Sequence, residues 1–436
     1  MIMLRRWVRS LVLCAVAFAG GAVAARASHA DGQQVSPYAP LDQMARALVY
    51  VENAYVDPVE RQRLLDGAVK GMVAELDPHS AYMNPEDFAA FNEDTEGSFG
   101  GIGVEVDFRD EQYTVIAPIK GSPADRAGIR SGDRIVAVDG RLLQGVAIDK
   151  IIKWMRGPAG SQVLVTIRRQ GKPEPFTLRL TREHIHVDSV DGKRLDRAVL
   201  YLRIRQFQSG THDELIRAVA KARADGDEPL AGAVLDLRNN PGGLVDEAEA
   251  AADELLSRGV IFTTRHRGKV LEKVEAHRGG SLSRLPIVVL VNEYSASAAE
   301  ILAGALKDNG RATIVGAPTF GKGSVQTIYE LPGGAGLRLT TMRYYTPAGH
   351  PVQVRGIHPD VLIEYEQPPE AFSPYREDSL EGHLGAERQR AAQAPKKVLQ
   401  GGKAPEYVPI AKLPSDPTKG SDFALSTAYR MLLDSA

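Results

Sequence analysis

The second half of the chain alternates between short apolar stretches and longer stretches with helical periodicity. A short apolar run is typical of a strand that is buried on both faces, and such strands alternate with helices in parallel α/β folds. The strand-like runs are Val199–Ile204, Ala233–Leu237, Ile287–Val291 and Thr313–Val315, and the helical stretches are Asp213–Arg223, Val245–Ser257 and Ala298–Lys307. This alternation predicts an α/β core, which we place at residues 184–366.

A different pattern fills residues 97–183, where short strand-like runs are separated by closely spaced turn residues. From Ser122 to Gly140 the chain reads Ser-Pro-Ala-x-x-Ala-Gly-Ile-x-x-Gly-Asp-x-Ile-x-x-Val-Asp-Gly. The glycines and turn residues have the spacing found in bacterial PDZ domains, and the segment resembles one. We therefore expect a mainly-β PDZ domain at residues 97–183.

The residues just upstream of that run indicate what such a domain would bind. Gly101-Ile102-Gly103-Val104 is a glycine-containing turn that leads into a strand. Successive backbone N–H groups in such a turn can bind a free carboxylate, and the peptide then adds as a further strand. We predict that these four residues bind a peptide C-terminus. The apolar residues of the adjacent helix either line the same groove or belong to the domain core: Ile148, Ile151, Ile152 and Met155.

The first thirty residues are typical of a secretory signal. Three arginines precede an apolar run at Leu11–Ala25, which ends in small residues at the spacing that a signal peptidase accepts. The run is shorter than the ~20 residues needed to span a bilayer. We predict a cleaved signal at residues 1–30 and export to the periplasm or cell envelope. An uncleaved signal would leave the protein attached to the membrane.

Composition narrows the chemistry. The only cysteine, Cys14, lies inside the predicted signal, so the mature protein would have no disulfide, no thiol nucleophile and no cysteine-ligated zinc. The sequence shows no metal-binding motif. A net charge of −2 over 436 residues gives no reason to expect a nucleic-acid partner.

The two ends of the mature chain differ from its middle. Residues 31–96 carry two stretches with helical periodicity, which are too small for a core of their own and are expected to pack on another domain or on a second copy of the chain. Residues 367–436 form a polar C-terminal extension. We expect it to run over the surface to Lys419 and to end in a short helix at Phe423–Leu433.

A candidate nucleophile follows the apolar run at Ile287–Val291. The sequence from Ser295 to Glu300 reads Ser-Ala-Ser-Ala-Ala-Glu, and a helix of small residues begins near Ser297. A serine at a strand-to-helix turn is accessible, and the helix N-terminus stabilises developing negative charge. Serine is also a common helix cap, so this motif alone does not decide between the two roles.

A candidate base lies in Phe320-Gly321-Lys322-Gly323. Lys322 and Gln326 are four residues apart, so they share a face if the segment is a strand. A lysine serves as a base only when it is neutral, which requires burial away from acidic groups. A glutamine can orient the lysine without the charge of a carboxylate.

The third motif is Asp236-Leu237-Arg238-Asn239-Asn240-Pro241-Gly242-Gly243. Its glycine pair ends a buried strand and could present a backbone N–H group to an oxyanion. The alternative is a turn with no catalytic role.

Taken together, these motifs resemble the carboxyl-terminal processing (tail-specific) serine proteases. The resemblance runs from about Leu41 to Glu366 and includes Leu76-Asp77-Pro78-His79-Ser80 and Gly356-Ile357-His358-Pro359-Asp360. It implies that Ser297 is the nucleophile, Lys322 the base and Gln326 its orienting partner, with an oxyanion hole formed by the backbone N–H groups of Gly243 and Ala298. Many relatives have Ser-Ala-Ser-Glu where this chain has Ser-Ala-Ala-Glu, a difference that should not affect the chemistry.

The resemblance also implies a fold and a function. The core would be an α/β fold similar to ClpP and crotonase, with the PDZ domain inserted as a lid. The protein would be an exported serine endopeptidase without a cofactor, which captures substrate C-termini through the PDZ domain. It would cleave near those termini or degrade the captured protein. A homo-oligomer through the N-terminal helices and an adaptor or regulator protein are further expectations.

Three other functions were considered. Gly316-x-x-x-x-Gly321-Lys322 is similar to a phosphate-binding loop, but Gly323 replaces the required Ser or Thr and a strand pattern follows. A Ser-His-Asp hydrolase could use His79, His350 or His358, but the chain has no Gly-x-Ser-x-Gly motif. A non-catalytic PDZ scaffold would have no need for Ser297 and Lys322 together.

Overall fold

A computed structural model of the protein describes residues 38–109, 112–277, 280, 282–366, 376–386, 394–405 and 408–435. The signal predicted at residues 1–30 lies outside these ranges. None of the described helices is both long and apolar enough to cross a bilayer. The chain divides into two compact units, one up to Val69 and one from Lys70 onward.

The first unit consists of helix α1 (Ala39–Ala54) and most of α2 (Arg61–Ala74). A salt bridge of 2.5 Å between Arg61 and Glu52 joins the two helices. Every residue of α1 is described and none is buried, so its apolar side chains face solvent, among them Leu41, Met44, Val49 and Tyr50. The expected pair of N-terminal helices is present and has no core of its own.

The second unit begins with the end of α2, followed by β1 (Ala81–Met83) and α3 (Pro85–Glu96). Next come β2 (Ser98–Gly101), β3 (Val104–Arg109), β4 (Gln112–Pro118), α4 (Pro123–Arg126), β5 (Arg134–Val138), β6 (Arg141–Leu142), α5 (Ile148–Met155), β7 (Gln162–Arg168), β8 (Phe176–Thr181) and β9 (Glu183–His186). Strands β3-β4-β5-β7-β8 form one antiparallel sheet, with β6 beside β5. Helix α5 covers a core that includes Val115, Val138, Val165 and Ile167. A mainly-β domain is therefore present, as expected, and its sheet spans residues 104–181.

The α/β core contains β10 (Val190–Arg194), β11 (Val199–Ile204), α6 (Thr211–Ala224), β12 (Gly232–Asp236), α7 (Val245–Leu255), β13 (Val260–His266), β14 (Lys269–Glu275), β15 (Ile287–Val291), α8 (Ala298–Asp308), β16 (Ala312–Gly316), β17 (Ser324–Glu330), β18 (Gly336–Tyr345), β19 (Val361–Glu366), β20 (Lys397–Lys403) and α9 (Phe423–Ser435). Its main sheet has the order β10-β11-β12-β15-β16-β19-β20. All neighbouring strands are parallel except β10 and β11.

Both faces of this sheet are covered, which explains why its central strands are uniformly apolar. Helices α6, α7 and α8 pack on one face, where Leu235, Val289 and Leu302 are buried. Helix α9 packs on the other face, against Val234 and Val288. The parallel α/β core predicted from the apolar runs is therefore confirmed.

A second sheet of the core was not predicted. It has the order β1-β18-β13-β14, with β17 also paired to β18. Two of its residues, Phe262 and Tyr344, belong to the same buried cluster as the residues of α8. Strand β1 shows that residues before 97 complete this sheet, because Tyr82 pairs with Leu337 of β18.

The C-terminal segment also differs from expectation. Instead of running over the surface as far as Lys419, it adds β20 to the main sheet, where Leu362 pairs with Val398. The final helix is present, and its Leu425 and Tyr429 are buried. The core therefore extends beyond residue 366.

Candidate active site

The serine motif forms a tight turn at the carboxyl end of β15. Ser297 has φ 54° and ψ −118°, which is a conformation that residues other than glycine rarely adopt. Such backbone strain persists only where surrounding contacts enforce it, and it is often found at functional sites. Ser297 is half-buried, and its backbone begins α8: its amide donates to Glu300 Oε2, and its carbonyl oxygen accepts from the amides of Glu300 and Ile301. An N-cap residue normally has φ and ψ in the β region, so capping alone does not explain this conformation.

Glu300, in the first turn of α8, holds this turn and the lysine loop together. Its Oε2 atom accepts hydrogen bonds from the backbone amides of Ser297 at 2.8 Å and Lys322 at 2.9 Å. Its Oε1 atom accepts from the Thr319 hydroxyl at 2.5 Å and from the Gly321 amide at 2.7 Å. Burial raises the pKa of Glu300 to about 7, although these hydrogen bonds favour the ionised form.

Tyr344 joins the same two loops from the second sheet. Its hydroxyl lies 3.0 Å from the carbonyl oxygen of Ser297 and 2.6 Å from that of Lys322. The ring is buried, and burial raises the pKa of the hydroxyl well above its usual value. Glu300 thus fixes the backbone amides of Ser297 and Lys322, and the single hydroxyl proton of Tyr344 is shared between their carbonyl oxygens, with Lys322 O the nearer.

The lysine lies just before β17 and faces the glutamine four residues later. Lys322 Nζ donates a hydrogen bond of 2.7 Å to Gln326 Oε1. Burial is the main cause that lowers the pKa of Lys322 to about 8, and Arg338 lowers it further. Glu377, Glu300 and Asp77 act in the opposite direction. A pKa of about 8 leaves part of the lysine neutral near neutral pH, as a base requires.

The glycine motif after β12 lies against the serine turn. Gly243 has φ 129°, and a Cβ atom there would come within 2.0 Å of the Phe207 carbonyl oxygen, so glycine is required. A Cβ atom on Gly242 would lie 2.7 Å from the Cβ of Ser297 and 3.0 Å from the amide nitrogen of Ala298. Neither the Gly243 nor the Ala298 amide donates to another described residue. The Gly242-Gly243 loop and the Ala298 amide therefore lie close to Ser297.

An ion-pair network built on the buried Asp236 anchors the start of this glycine loop. Arg238 binds Asp236 with Nε–Oδ1 and Nη2–Oδ2 distances of 2.9 and 2.6 Å, and it binds both carboxylate oxygens of Asp422 at 3.0 and 2.8 Å. Asp422 comes from the C-terminal segment, directly before α9. Further along the loop, the Asn240 side chain donates to Ile204 O and accepts from the Gly242 amide.

The structure contains no hydrogen bond between Ser297 Oγ and Lys322 Nζ, both of which it describes. Catalytic hydrogen bonds are often long without substrate and tighten when substrate binds. No described histidine is hydrogen-bonded to Ser297 either. His79 pairs with Glu377 at 2.8 Å, whereas His350 and His358 line a separate cavity beside Gly304.

The predicted peptide-binding turn lies at one end of a groove between β3 and α5. The carbonyl oxygens of Ile102 and Gly103 accept hydrogen bonds from the amides of Ala124 and Ile119, both at 2.9 Å. The amides of Ile102 and Gly103 donate to no described residue. Strand β3 is the edge of its sheet among the described strands. The groove is lined mainly by apolar side chains: Phe99, Ile102, Val104, Val106, Ile152 and Met155.

One group of described residues has the spacing of a metal site. Ligand atoms of His186, Asp188 and Glu214 lie within 4.8 Å of one another. Glu214 already accepts hydrogen bonds from His186, from the amide and hydroxyl of Ser189, and from the Val190 amide. These contacts fasten the strand that leaves the PDZ domain to helix α6, and they account for the cluster without a metal.

Sequence reasoning placed Ser297, Lys322, Gln326, Gly243 and Ala298 in one site, and the structure brings their loops together. It did not identify Glu300, Tyr344 or Asp422. Glu300 was part of the quoted serine motif, and an acidic residue directly before the apolar stretch from Ile301 to Leu306 was the available signal. Nothing in the sequence around Tyr344 or Asp422 indicated a role in this site.

Comparisons with known proteins identify the family. A model of peptidase family S41 matches residues 198–363, a PDZ model matches residues 114–169, and a model of the activating protease CtpB N-terminal domain matches residues 18–87. The chain is 39% identical over 389 residues to a carboxy-terminal-processing protease of Bartonella bacilliformis, covering 88% of this chain and 86% of that one.

Two further matches are of the same kind. The chain is 40% identical over 337 residues to a probable CtpA-like serine protease of Staphylococcus aureus, with 77% of this chain and 67% of that one covered. A solved photosystem II D1 C-terminal processing protease is 34% identical, with 73% of this chain and 86% of that one covered and a TM-score of 0.45. The chain therefore belongs to the carboxy-terminal-processing proteases of peptidase family S41, and it is a serine-type peptidase with an internal PDZ domain.

Proposed function

We propose that this protein is an exported protease that captures substrates by their C-termini and cleaves them with a Ser297–Lys322 dyad. One observation carries the catalytic part of the proposal. A half-buried lysine whose pKa is lowered to about 8 is held by a neutral glutamine in the loop that Glu300 and Tyr344 fasten to Ser297.

The chemistry follows from these positions. Neutral Lys322 Nζ removes the proton of the Ser297 hydroxyl as Oγ attacks the scissile carbonyl carbon. The tetrahedral oxyanion accepts hydrogen bonds from the Gly243 and Ala298 amides. The lysine ammonium then protonates the leaving amine, which leaves an acyl-enzyme. A water molecule, deprotonated by Lys322, attacks the ester and releases the acyl product, and the proton returns to Ser297.

The PDZ groove supplies the substrate. Free amides at Ile102 and Gly103 bind the terminal carboxylate, and the peptide adds as a strand beside β3. The apolar lining of the groove favours a substrate whose last side chain is apolar. Cleavage then occurs near that terminus, or the captured protein is degraded.

A peptide assay tests capture. The full chain is incubated with two peptides of one sequence, one with a free C-terminal carboxylate and one with an amidated terminus, and products are measured by mass spectrometry. The free peptide should be cleaved faster, mainly through a lower KM, because amidation removes the charge that the turn binds. Equal rates would mean that the domain recognises another feature.

Location and assembly are part of the same proposal. The basic and apolar pattern of residues 1–30 supports export, and an N-terminal sequence of the natural protein beginning after Ala27 or Ala30 would agree with it. An intact Met1 on protein found in the cytosol would contradict it. The unburied apolar side chains of α1 support a homo-oligomer through the N-terminal helices. Analytical ultracentrifugation of the full chain should then show more than a monomer. An adaptor or regulator protein remains a further proposal from the family.

A further inference from the structure

The motif Leu76-Asp77-Pro78-His79-Ser80 has no part in the chemistry described so far. It forms a compact turn after α2, built around the Asp77 carboxylate. Asp77 Oδ1 accepts from the amides of His79 and Ser80, both at 2.9 Å, and Oδ2 accepts from the Ser80 hydroxyl at 2.8 Å. Asp77 and Ser80 are both buried. A buried carboxylate with this many donors is rigidly held.

This turn is bound to β18 by three hydrogen bonds. The Thr340 amide donates to Ser80 Oγ at 3.0 Å, and the Thr340 hydroxyl donates to Asp77 Oδ1 at 3.1 Å. Arg338 Nε donates to the His79 carbonyl oxygen at 2.9 Å. The turn therefore contacts the strand that lies directly beside β17, which carries Gln326.

Thr340 is the cross-strand partner of Gln326. Gln326 Nε2 lies 3.2 Å from Thr340 Oγ1 and 3.0 Å from Ser324 Oγ. A threonine hydroxyl has a single proton, and an ionised carboxylate can only accept. Since that proton goes to Asp77, Thr340 Oγ1 can offer only its lone pairs to Gln326. The NH₂ end of the Gln326 amide must face Thr340, and its oxygen must face Lys322.

We propose that Asp77 and Thr340 are positioning residues for Lys322, because they fix the orientation of the Gln326 amide that binds it. The inference rests on the proposed roles of Ser297 and Lys322. A neutral lysine has two N–H bonds and one lone pair. With one N–H bound to Gln326 Oε1, the lone pair stays available for the Ser297 proton. A flipped amide would direct its NH₂ group at Lys322 and occupy that lone pair.

A second arm of the same motif reaches the residue after Lys322. His79 Nε2 lies 2.8 Å from Glu377 Oε2, and Glu377 is completely buried. Glu377 Oε1 accepts from Gln353 Nε2 at 2.6 Å, and Gln353 Oε1 accepts from the Gly323 amide at 2.9 Å. The turn is thus connected to the lysine loop through Gln353 as well as through Gln326.

The test uses Thr340→Val, which removes the hydroxyl from a strand position with little change in shape. We expect kcat to fall by about tenfold or more. This is a part of the rate acceleration of about 10²–10⁴-fold that a positioned base contributes. KM should not change, because the PDZ groove is not altered. The rise of kcat with pH, which reports the loss of the Lys322 proton, should move to lower pH. A flipped amide removes the acceptor that stabilises the lysine ammonium. Charged groups that also act on Lys322 stay in place in this variant: Arg338, Glu377, Glu300 and Asp77.

Two matched variants separate positioning from a loss of structure. Thr340→Ser keeps the hydroxyl and should keep most of the wild-type kcat. Thr341→Val removes the neighbouring hydroxyl, which is hydrogen-bonded to Thr327 at 2.7 Å and not to Gln326. This variant should leave kcat and its dependence on pH unchanged. If Thr340→Val does not fold, Thr340→Ala removes the same hydroxyl without adding a methyl group.

A double-mutant cycle completes the test. If Thr340 acts through Gln326, adding Thr340→Val to Gln326→Met should cause no further loss of kcat. The proposal would be overturned if Thr340→Val and Thr341→Val lowered kcat equally. It would also be overturned if the losses of kcat from Thr340→Val and Gln326→Met added fully in the double variant. Ser297→Ala is assayed alongside. Residual activity in that variant would reject the proposed function, whereas an inactive Ser297→Ala with a fully active Thr340→Val would reject only the positioning role.

Discussion

Lys322 Nζ donates a 2.7 Å hydrogen bond to Gln326 Oε1, and no carboxylate takes the place of that amide. The pairing leaves the lysine with an acceptor but without a counter-charge in direct contact. Burial can therefore lower its pKa to about 8, where an acidic partner would have kept the ammonium charged.

Replacing that amide by a carboxylate tests the point. In Gln326→Glu the new negative charge should raise the pKa of Lys322, so the rise of kcat with pH should move to more alkaline values. Activity at pH 7 should fall and recover in part at high pH. Gln326→Met removes the hydrogen bond without adding charge and is the control. In this variant the rise of kcat with pH should not move to more alkaline values. Overlapping kcat profiles for wild type and Gln326→Glu would contradict the assignment of Lys322 as the titrating base.

The lowered pKa of Lys322 should also affect stability. Below about pH 8 both folded and unfolded chains bind the proton, and the buried ammonium destabilises the fold. A fall in pKa from 10.5 to about 8 corresponds to roughly 3 kcal/mol. Between these values the unfolded chain binds more protons, so stability rises with pH. Lys322→Met should be inactive, more stable than wild type at pH 7, and without this advantage above pH 10.5. Urea unfolding in matched buffers measures the free energy of unfolding of both proteins. A Lys322→Met variant that is less stable than wild type at pH 7 would contradict the prediction.

Glu300 should show the opposite dependence on pH. Burial raises its pKa from 4.5 to about 7, so between these values the folded chain binds more protons and stability falls as pH rises. Glu300→Gln should remove this slope, which urea unfolding from pH 4 to pH 8 would detect. The variant should also lose kcat, because one end of the amide would face backbone N–H donors. A variant with wild-type kcat would show that the clamp on Ser297 and Lys322 is not needed.

The PDZ groove can be tested apart from the chemistry. Ile152 lines the groove and is partly exposed, so Ile152→Asp should weaken binding of a peptide with a free apolar C-terminus and raise KM, with little change in kcat. Leu142→Asp is the matched control, since Leu142 is an exposed apolar residue of the same domain outside the groove. Fluorescence anisotropy with a labelled peptide measures binding. Equal affinities of the two variants would place the peptide elsewhere.

The parts of this site that sequence could predict are local. Val199–Ile204 and Ile287–Val291 were predicted with the bounds that the structure has, because a buried parallel strand is a continuous apolar run. The spacing of Lys322 and Gln326 predicted that they share a face, and the two side chains are in contact although Lys322 lies just before β17. In each case, a few consecutive residues contain the whole signal.

The remaining parts depend on contacts between distant segments. Asp422 binds Arg238 across 184 residues of chain, and nothing near Asp422 in sequence indicates that partner. Strand β20 was missed because its two glycines and polar residues resemble a loop, and an edge strand needs pairing on one side only. Thr340 and Asp77 likewise meet only because β1 brings the N-terminal turn onto β18.

The central claim is that Ser297 and Lys322 act as one unit, and the most direct test is kcat/KM for Ser297→Ala, Lys322→Ala and the double variant on one free-C-terminus peptide. His350→Ala, a change outside the site, serves as the folding control and should stay active. If the two residues form one nucleophile–base pair, each single change should abolish cleavage and the double variant should be no worse than either. Substantial activity in either single variant, or a double variant far below both, would contradict the dyad.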